Sequence, residues 1–239
     1  MKRLFLLSAI ALVAICISSC ASSQSGAPAK PEPPIRYGWE YGPLYGDVES
    51  VTMTNYQLED KFGEIVRGDI ESRNKYYFDD AGNVVERAEY NSYGSLREKE
   101  TYKYDASRNL VEETSYDSDG SLCVKNIYKY DASGNMIEYA WYNSDGSLEW
   151  KWVYKYDSSG NQIEWAWYNS DGSLNNKHTY KYDALGNMSE EASYESDGSL
   201  DNKHTYKYDS SGNRIEETIY SGEALVPHSQ RVFEITCRN

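Results

Sequence analysis

A 26-residue repeat constrains this chain more than any other feature of its sequence. The first repeated block, Tyr-Lys-Tyr-Asp, occurs at 102–105, 128–131, 154–157, 180–183 and 206–209, with a diverged copy at 76–79. A second block, Tyr-x-Ser-x-Gly-Ser-Leu, recurs with the same period, from 90–96 to 194–200. Such a period predicts stacked copies of one supersecondary unit.

Each repeat contains two turn signals, represented by Asp157–Asn161 and Asn169–Ser173. Both place an Asx residue at the first turn position and Gly at the fourth, which favours a type I turn closed by a Gly bulge. The segments between the turns alternate Tyr, Trp, Thr, Ile and Val with polar residues. Each unit is therefore predicted to be two antiparallel strands.

Three-residue turn loops predict the pairing register and hence the two faces of the sheet. In this register Tyr154 lies opposite Glu164, and Tyr168 lies opposite Leu174. The residues common to all units then share one face. Tyr154, Tyr156, Glu164, Ala166, Tyr168 and Leu174 are predicted on that face, and Lys151, Val153, Lys155, Ile163, Trp165 and Trp167 on the other.

We expect an all-β fold, a tandem-repeat antiparallel meander of about a dozen strands. The sheet is predicted to be an extended, twisted single layer or an open spiral, without closure. Six hairpin repeats occupy 76–225, between capping strands in 35–75 and 226–239, because terminal repeats would otherwise leave unprotected edges. In such a sheet Cys123 and Cys237 lie about eight strands apart, so a disulfide between them would require closure.

The first 19 residues have the pattern of an export signal. A basic start precedes an apolar run, Leu4–Ile17, that is too short to span a bilayer as a mature helix. Residues 20–34 are small, polar and Pro-rich, as in a flexible tether. The sequence Ile17-Ser18-Ser19-Cys20 resembles the bacterial lipobox, which implies cleavage before Cys20, its acylation and tethering to the outer membrane. The alternative is an ordinary secretory signal, with Cys20 a thiol.

Composition excludes some partners and explains how the chain can be ordered. Aliphatic residues are few, but 24 Tyr and 6 Trp supply apolar area through amphipathic rings. The net charge of −14 opposes binding to the phosphate backbone of nucleic acids.

The element Tyr-Lys-Tyr-Asp-x-x-Gly-Asn resembles the YD repeat of RHS/teneurin-type proteins. The Tyr-x-x-x-Gly-x-Leu block is similar to the short repeats of MORN-like and YwqK-like bacterial proteins. The resemblance covers about 76–220 and implies a β-sheet scaffold without catalysis of its own. The Gly and Arg that usually precede the YD element are missing here.

Three groups of polar residues are candidates for a metal or catalytic site, and each has a structural explanation. The predicted pairs His178/Glu164 and His204/Glu190 do not converge as zinc ligands must. The repeated turn Asp residues lack the ligand density of a calcium loop, and each can cap its own turn. Identical Glu residues lack the differentiated environments of a catalytic pair. We therefore expect no enzyme, metal or cofactor.

Tryptophan breaks the symmetry of the repeat, since five of the six lie between 141 and 167. Aromatic rings on a sheet can stack on sugars or on apolar partner groups. The structural alternative is that they thicken a weak sheet through cross-strand aromatic and cation–π contacts. The predicted ligand-binding set is Tyr139, Trp141, Lys151, Trp165 and Trp167, with Trp150 and Trp152 on the opposite side. We expect a lipid-anchored envelope module that binds glycan or protein. The alternative is a structural scaffold that self-associates through its sheet edges.

Overall fold

The computed structural model describes residues 38–222 and 226–236, and its strands form one open antiparallel sheet in sequence order. The predicted all-β meander is confirmed, and its first and last strands are not paired with each other. The strands are β1 Ser50–Lys61, β2 Glu64–Phe78, β3 Val84–Asn91, β4 Leu96–Tyr104, β5 Leu110–Asp117, β6 Leu122–Tyr130, β7 Met136–Tyr142, β8 Leu148–Tyr156, β9 Gln162–Asn169, β10 Leu174–Tyr182, β11 Met188–Tyr194, β12 Leu200–Tyr208, β13 Arg214–Ser221 and β14 Val226–Val232.

The repeated turns have the geometry that their Asx and Gly residues predict. Gly160 N–H donates to the Asp157 carbonyl at 3.1 Å, and Asp157 N–H donates to the Asn161 carbonyl at 2.9 Å. Gly160 has a φ of +84°, a conformation that costs least for glycine. The Asp157 carboxylate accepts the N–H groups of Ser159 and Asn161 and the Asn161 amide. This capping explains why the turn Asp recurs.

A β-bulge lies next to the turn of each repeat hairpin. Tyr156 pairs with Gln162, but the next pair joins Lys155 to Glu164, so Ile163 is an extra residue. The other hairpin of the unit closes with Tyr168 opposite Leu174, as predicted, and then also skips one residue. These bulges shift the register by one position within every strand pair of the repeats.

The bulges make the predicted register wrong inside the strands. Tyr154 lies opposite Trp165 rather than Glu164. Because a shift of one residue exchanges the faces of a strand, Trp165 joins the face of the Tyr pair and Glu164 joins the face of the Lys residues. In the central unit, the Lys–Glu face carries Lys151, Val153, Lys155, Glu164, Ala166 and Tyr168, and the aromatic face carries Trp150, Trp152, Tyr154, Tyr156, Trp165 and Trp167.

The Lys–Glu face is nearly the same in every unit. The Glu138 carboxylate lies 2.7 Å from Lys129 Nζ and 3.6 Å from Lys151 Nζ, so cations on the two neighbouring strands flank it. Lys151 also lies over the Tyr168 ring at 5.8 Å. The small side chain of Ala166 is 1% exposed beneath this layer. The corresponding Glu residues 112, 164, 190 and 216 also pair with Lys.

The second Tyr of each Tyr-Lys-Tyr-Asp block bonds the preceding unit. Tyr156 Oη donates to the Met136 carbonyl at 3.0 Å, beyond the last backbone pair between β7 and β8, Glu138 with Val153. A carbonyl outside the ladder is thereby satisfied by a side chain. The same bond, always to the residue 20 positions earlier, is made by Tyr104, Tyr130, Tyr182 and Tyr208.

The N-terminal end of the sheet carries its own small core. Tyr76, Phe78 and Val84 are buried, and Trp39 packs edge-on against the Tyr76 ring at a centroid distance of 5.2 Å. The segment before β1, which contains Trp39, thus covers part of the aromatic face at this end. The tip of the β1–β2 hairpin extends past the end of β3, and Phe62 at this tip is fully exposed.

The two edge strands differ from ideal templates for pairing. β1 has register irregularities around Tyr56, and β14 has one that follows Pro227, a residue without a backbone donor. Such features discourage edge-to-edge association. Within 38–222 and 226–236, Cys123 forms no disulfide and no helix is long and apolar enough to cross a bilayer. Cys237, Cys20, the signal and the tether lie outside the described residues.

Candidate functional site: an aromatic strip

Four of the five residues predicted to bind a ligand share the aromatic face. Trp141, Trp165 and Trp167 lie there together with Tyr139. Lys151 does not, because the bulge places it on the opposite face beside Glu138 and Tyr168. The prediction that Lys151 belongs to this surface is therefore wrong.

Two bulges bring in two residues that the sequence assigned to the other side. Trp150 lies opposite Trp141, and Trp152 lies between Tyr139 and Trp167. The extra residues of these bulges are Glu149 in β8 and Ile163 in β9. We call the resulting surface the aromatic strip: Tyr139, Trp141, Trp150, Trp152, Trp165 and Trp167.

The rings of the strip pack against one another across β7, β8 and β9. Trp141 and Trp150 are parallel, with ring centroids 6.2 Å apart and an interplanar angle of 3°. Tyr139 meets Trp150 edge-on at 5.3 Å, and Trp152 meets Trp165 edge-on at 6.3 Å. Both arrangements are favourable for aromatic pairs. The strip is thus held in place before any ligand arrives.

The strip is half-buried rather than fully exposed. Tyr139 is 7% exposed, and burial followed by the charge of Glu113 raises its pKa to about 12. The five tryptophans have intermediate exposure, so each keeps part of its ring accessible to solvent. These rings therefore contribute both to the packing of the sheet and to its surface.

An unsatisfied donor and an unsatisfied acceptor belong to two opposed residues at the strip. Trp167 Nε1 and Asn176 Oδ1 belong to directly opposed residues, and both atoms are enclosed without a hydrogen-bond partner. By contrast, Trp165 Nε1 donates to Tyr180 Oη at 2.9 Å. Enclosed polar atoms without partners cost about 1–3 kcal/mol each, so this pair is the one polar defect of the strip.

Carboxylates border the strip on both sides. On the β5 side, Glu113 accepts hydrogen bonds from Asn126 at 3.1 Å and Tyr128 at 2.9 Å, and the Tyr128 ring stacks on Tyr139. Burial, and then the Glu113 charge, raises the pKa of Tyr128. Between Asn126 and Asn176, the paired positions of the aromatic face hold no charged residue.

On the β11 side, the strip is bordered by His178 on β10. The His178 ring stacks on Trp165 at a centroid distance of 4.4 Å and an interplanar angle of 8°. Its Nδ1 lies 4.0 Å from Glu191 Oε1, and Tyr206 Oη also donates to Glu191. The strip therefore lies on β7, β8 and β9, between Glu113 on one side and His178 with Glu191 on the other.

The histidine pairings differ from those predicted. His178 lies opposite Trp165 and Ser193, and His204 bonds Glu217 at 3.0 Å. The predicted pairs His178/Glu164 and His204/Glu190 are therefore wrong, because the bulges shift the register by one residue. In the described part of the chain, no three His, Cys, Asp or Glu residues converge as metal ligands.

One comparison with known proteins covers the aromatic strip. Residues 122–167, which are β6 to most of β9, match a family described as a protein of unknown function (DUF2963). No curated protein matches the chain. The structure of TcdB2-TccC3-Cdc42 aligns at 16% identity and a TM-score of 0.38, over 77% of this chain and 11% of that chain. A porin-like protein from Bacteroides uniformis aligns at 10% identity and a TM-score of 0.28, over 72% and 89%.

Proposed function

We propose that the chain is a non-enzymatic envelope lipoprotein that binds glycans through the aromatic strip. The observation that carries this proposal is the contrast between the strip and its equivalents in other units. Positions equivalent to Trp152 hold Asn126 and His178, and positions equivalent to Trp165 hold Glu113 and Glu191. Folding of the repeat therefore does not require indole rings at these sites.

The chemistry of the strip suits a sugar. Partly exposed indoles present flat apolar surfaces that can stack on pyranose rings. The Trp167 N–H and the Asn176 side-chain carbonyl have no partner among the described residues, so we propose that they become the donor and the acceptor for a ligand hydroxyl. A protein ligand that inserts apolar side chains is the alternative occupant.

The proposed location rests on the N-terminal sequence. The lipobox-like Ile17-Ser18-Ser19-Cys20 favours acylation of Cys20 and anchoring in the bacterial outer membrane. Replacement of Cys20 by Ser should abolish labelling by a radioactive fatty acid and release the protein from membranes. Unchanged labelling and retention would contradict this part of the proposal.

The repeat provides the test of binding. Trp150→Val combined with Trp152→Asn gives β8 the residues that the equivalent positions of β6 carry, Val124 and Asn126. We expect the full chain to lose retention on chitin, cellulose or peptidoglycan by at least tenfold, while its far-ultraviolet circular dichroism stays unchanged. The matched control is Val153→Ile, which copies Ile127 on the Lys–Glu face and should leave retention intact. Equal retention of both variants would overturn the glycan proposal.

Self-association is the second candidate, favoured by the open edges of β1 and β14. The bulges and Pro227 oppose it. Sedimentation of the full chain in detergent should give a monomer over a wide concentration range. A concentration-dependent polymer that persists in the Trp150→Val/Trp152→Asn variant would favour the scaffold.

A further inference from the structure

The charges around the aromatic strip point to a cationic ligand. Glu113 and Glu191 are on the aromatic face and border the strip, but neither has a Lys or Arg within 4.0 Å in the described part of the chain. Two other Glu residues of the aromatic face do have a cationic partner: Glu100 bonds Arg87, and Glu217 bonds Arg231. Glu113 therefore has no cationic partner among the described residues, and Glu191 has only the imidazole of His178, whose Nδ1 lies 4.0 Å from its carboxylate.

The opposite face cannot supply the missing cations. The Lys residues of the Lys–Glu face pair with the Glu row of their own face, as Lys155 does with Glu164 at 2.7 Å. With a net charge of −14, the molecule as a whole also attracts cations to its surface. Charge complementarity on the aromatic face thus favours a positively charged partner.

The rings themselves favour the same charge. Trp is the best aromatic acceptor for an ammonium group, and five indoles lie close together here with no cation among them. Elsewhere in the sheet the protein fills such positions itself, since Lys151, Lys177 and Lys203 lie over Tyr rings on the Lys–Glu face.

We infer that the strip binds a glycan that carries protonated primary amines, of the glucosamine type, with its ammonium groups near Glu113, Glu191 and the indoles. This inference rests on the proposed glycan binding and names its ligand class. Glu113 on β5 and Glu191 on β11 are six strand spacings apart, about 29 Å along the sheet. A ligand that meets both must therefore be an oligosaccharide rather than a single sugar.

The experiment compares two hexamers that differ in whether their amino groups are acetylated, and therefore in charge. The full chain is titrated calorimetrically with chitosan hexamer and with chitin hexamer at about pH 5.5, where the amines are protonated and surface carboxylates are ionised. We expect the deacetylated hexamer to bind at least tenfold more tightly at low salt, with the preference falling as salt screens the charges.

Glu113→Gln combined with Glu191→Gln should reduce the preference for chitosan to less than threefold while binding of chitin hexamer is retained. The control, Glu164→Gln combined with Glu216→Gln, removes the same charge from the Lys–Glu face and should keep the preference. Equal or tighter binding of chitin hexamer by the unmodified protein would overturn the cationic ligand but leave glycan binding standing. Absence of binding by both hexamers would overturn the two together.

Discussion

The Lys–Glu face and the aromatic face belong to the same strands but vary very differently. On the Lys–Glu face the position of Glu164 holds Glu in all six units, and the position of Ala166 holds only Ala or Thr. On the aromatic face the position of Trp152 holds Trp, Asn, Glu or His. The constant face is occupied by internal ion pairs, whereas the variable face carries the strip. The comparison teaches that the ion pairs that recur in every unit lie on one side of the layer, and that most of the variation between units lies on the other side.

The largest effect is expected at the buried Ala row of the constant face. Ala166 is 1% exposed beneath Lys and Tyr side chains, so Ala166→Leu should destabilise the protein by about 1–3 kcal/mol through overpacking. Ala166→Thr is the control, because Thr114 and Thr218 are accommodated at equivalent positions. Urea unfolding of both variants measures the difference. Equal stability would mean that this face is not tightly packed.

A single hydroxyl should contribute less. Tyr156→Phe removes the bond to the Met136 carbonyl and should lower the free energy of unfolding by about 1 kcal/mol. Tyr93→Phe, at a turn where the ring is 93% exposed, should change nothing measurable. If the two variants unfold at the same urea concentration, the recurrence of this Tyr has a cause other than the interstrand bond.

The sequence predicted the meander and its turns because both follow from short-range chemistry. The turn Asp and Gly fix the backbone within five residues, and the period places the hairpins in order. The bulge at Ile163 could not be predicted in the same way, because it depends on how neighbouring strands satisfy each other's backbone. This bulge and the one at Glu149 together decided which face Lys151, Trp150 and Trp152 occupy, so the site was predicted only in part.

The contrast within the strip can be sharpened by removing one N–H at a time. Trp167→Phe deletes a donor that has no partner, so stability should stay within about 0.5 kcal/mol of the unmodified protein or rise, while glycan affinity falls. Trp165→Phe deletes a donor that already bonds Tyr180, and it should lose about 1 kcal/mol of stability. Thermal unfolding and titration with chitosan hexamer measure both. Reversed effects on stability would show that the Trp167 donor is satisfied internally.

The smallest effect is expected at the turns, which are the same for both faces. Hydrogen bonds from Asn161, first its amide side chain and then its backbone N–H, lower the pKa of Asp157, and the same bonds act on Asp105, Asp131, Asp183 and Asp209. Because the folded pKa is below the unfolded value, this contribution is complete above the ordinary Asp pKa of about 3.9 and is lost as the pH falls through the lower folded value.

Asp157→Asn keeps an acceptor for the turn but cannot titrate. The difference in melting temperature between this variant and the unmodified protein should therefore shrink as the pH is lowered from about 6 to about 2. Asp80→Asn, at an exposed residue of the first repeat's turn outside the capping position, is the control for the loss of one negative charge. A constant difference for Asp157→Asn across this range would mean that the turn is held by its backbone bonds alone.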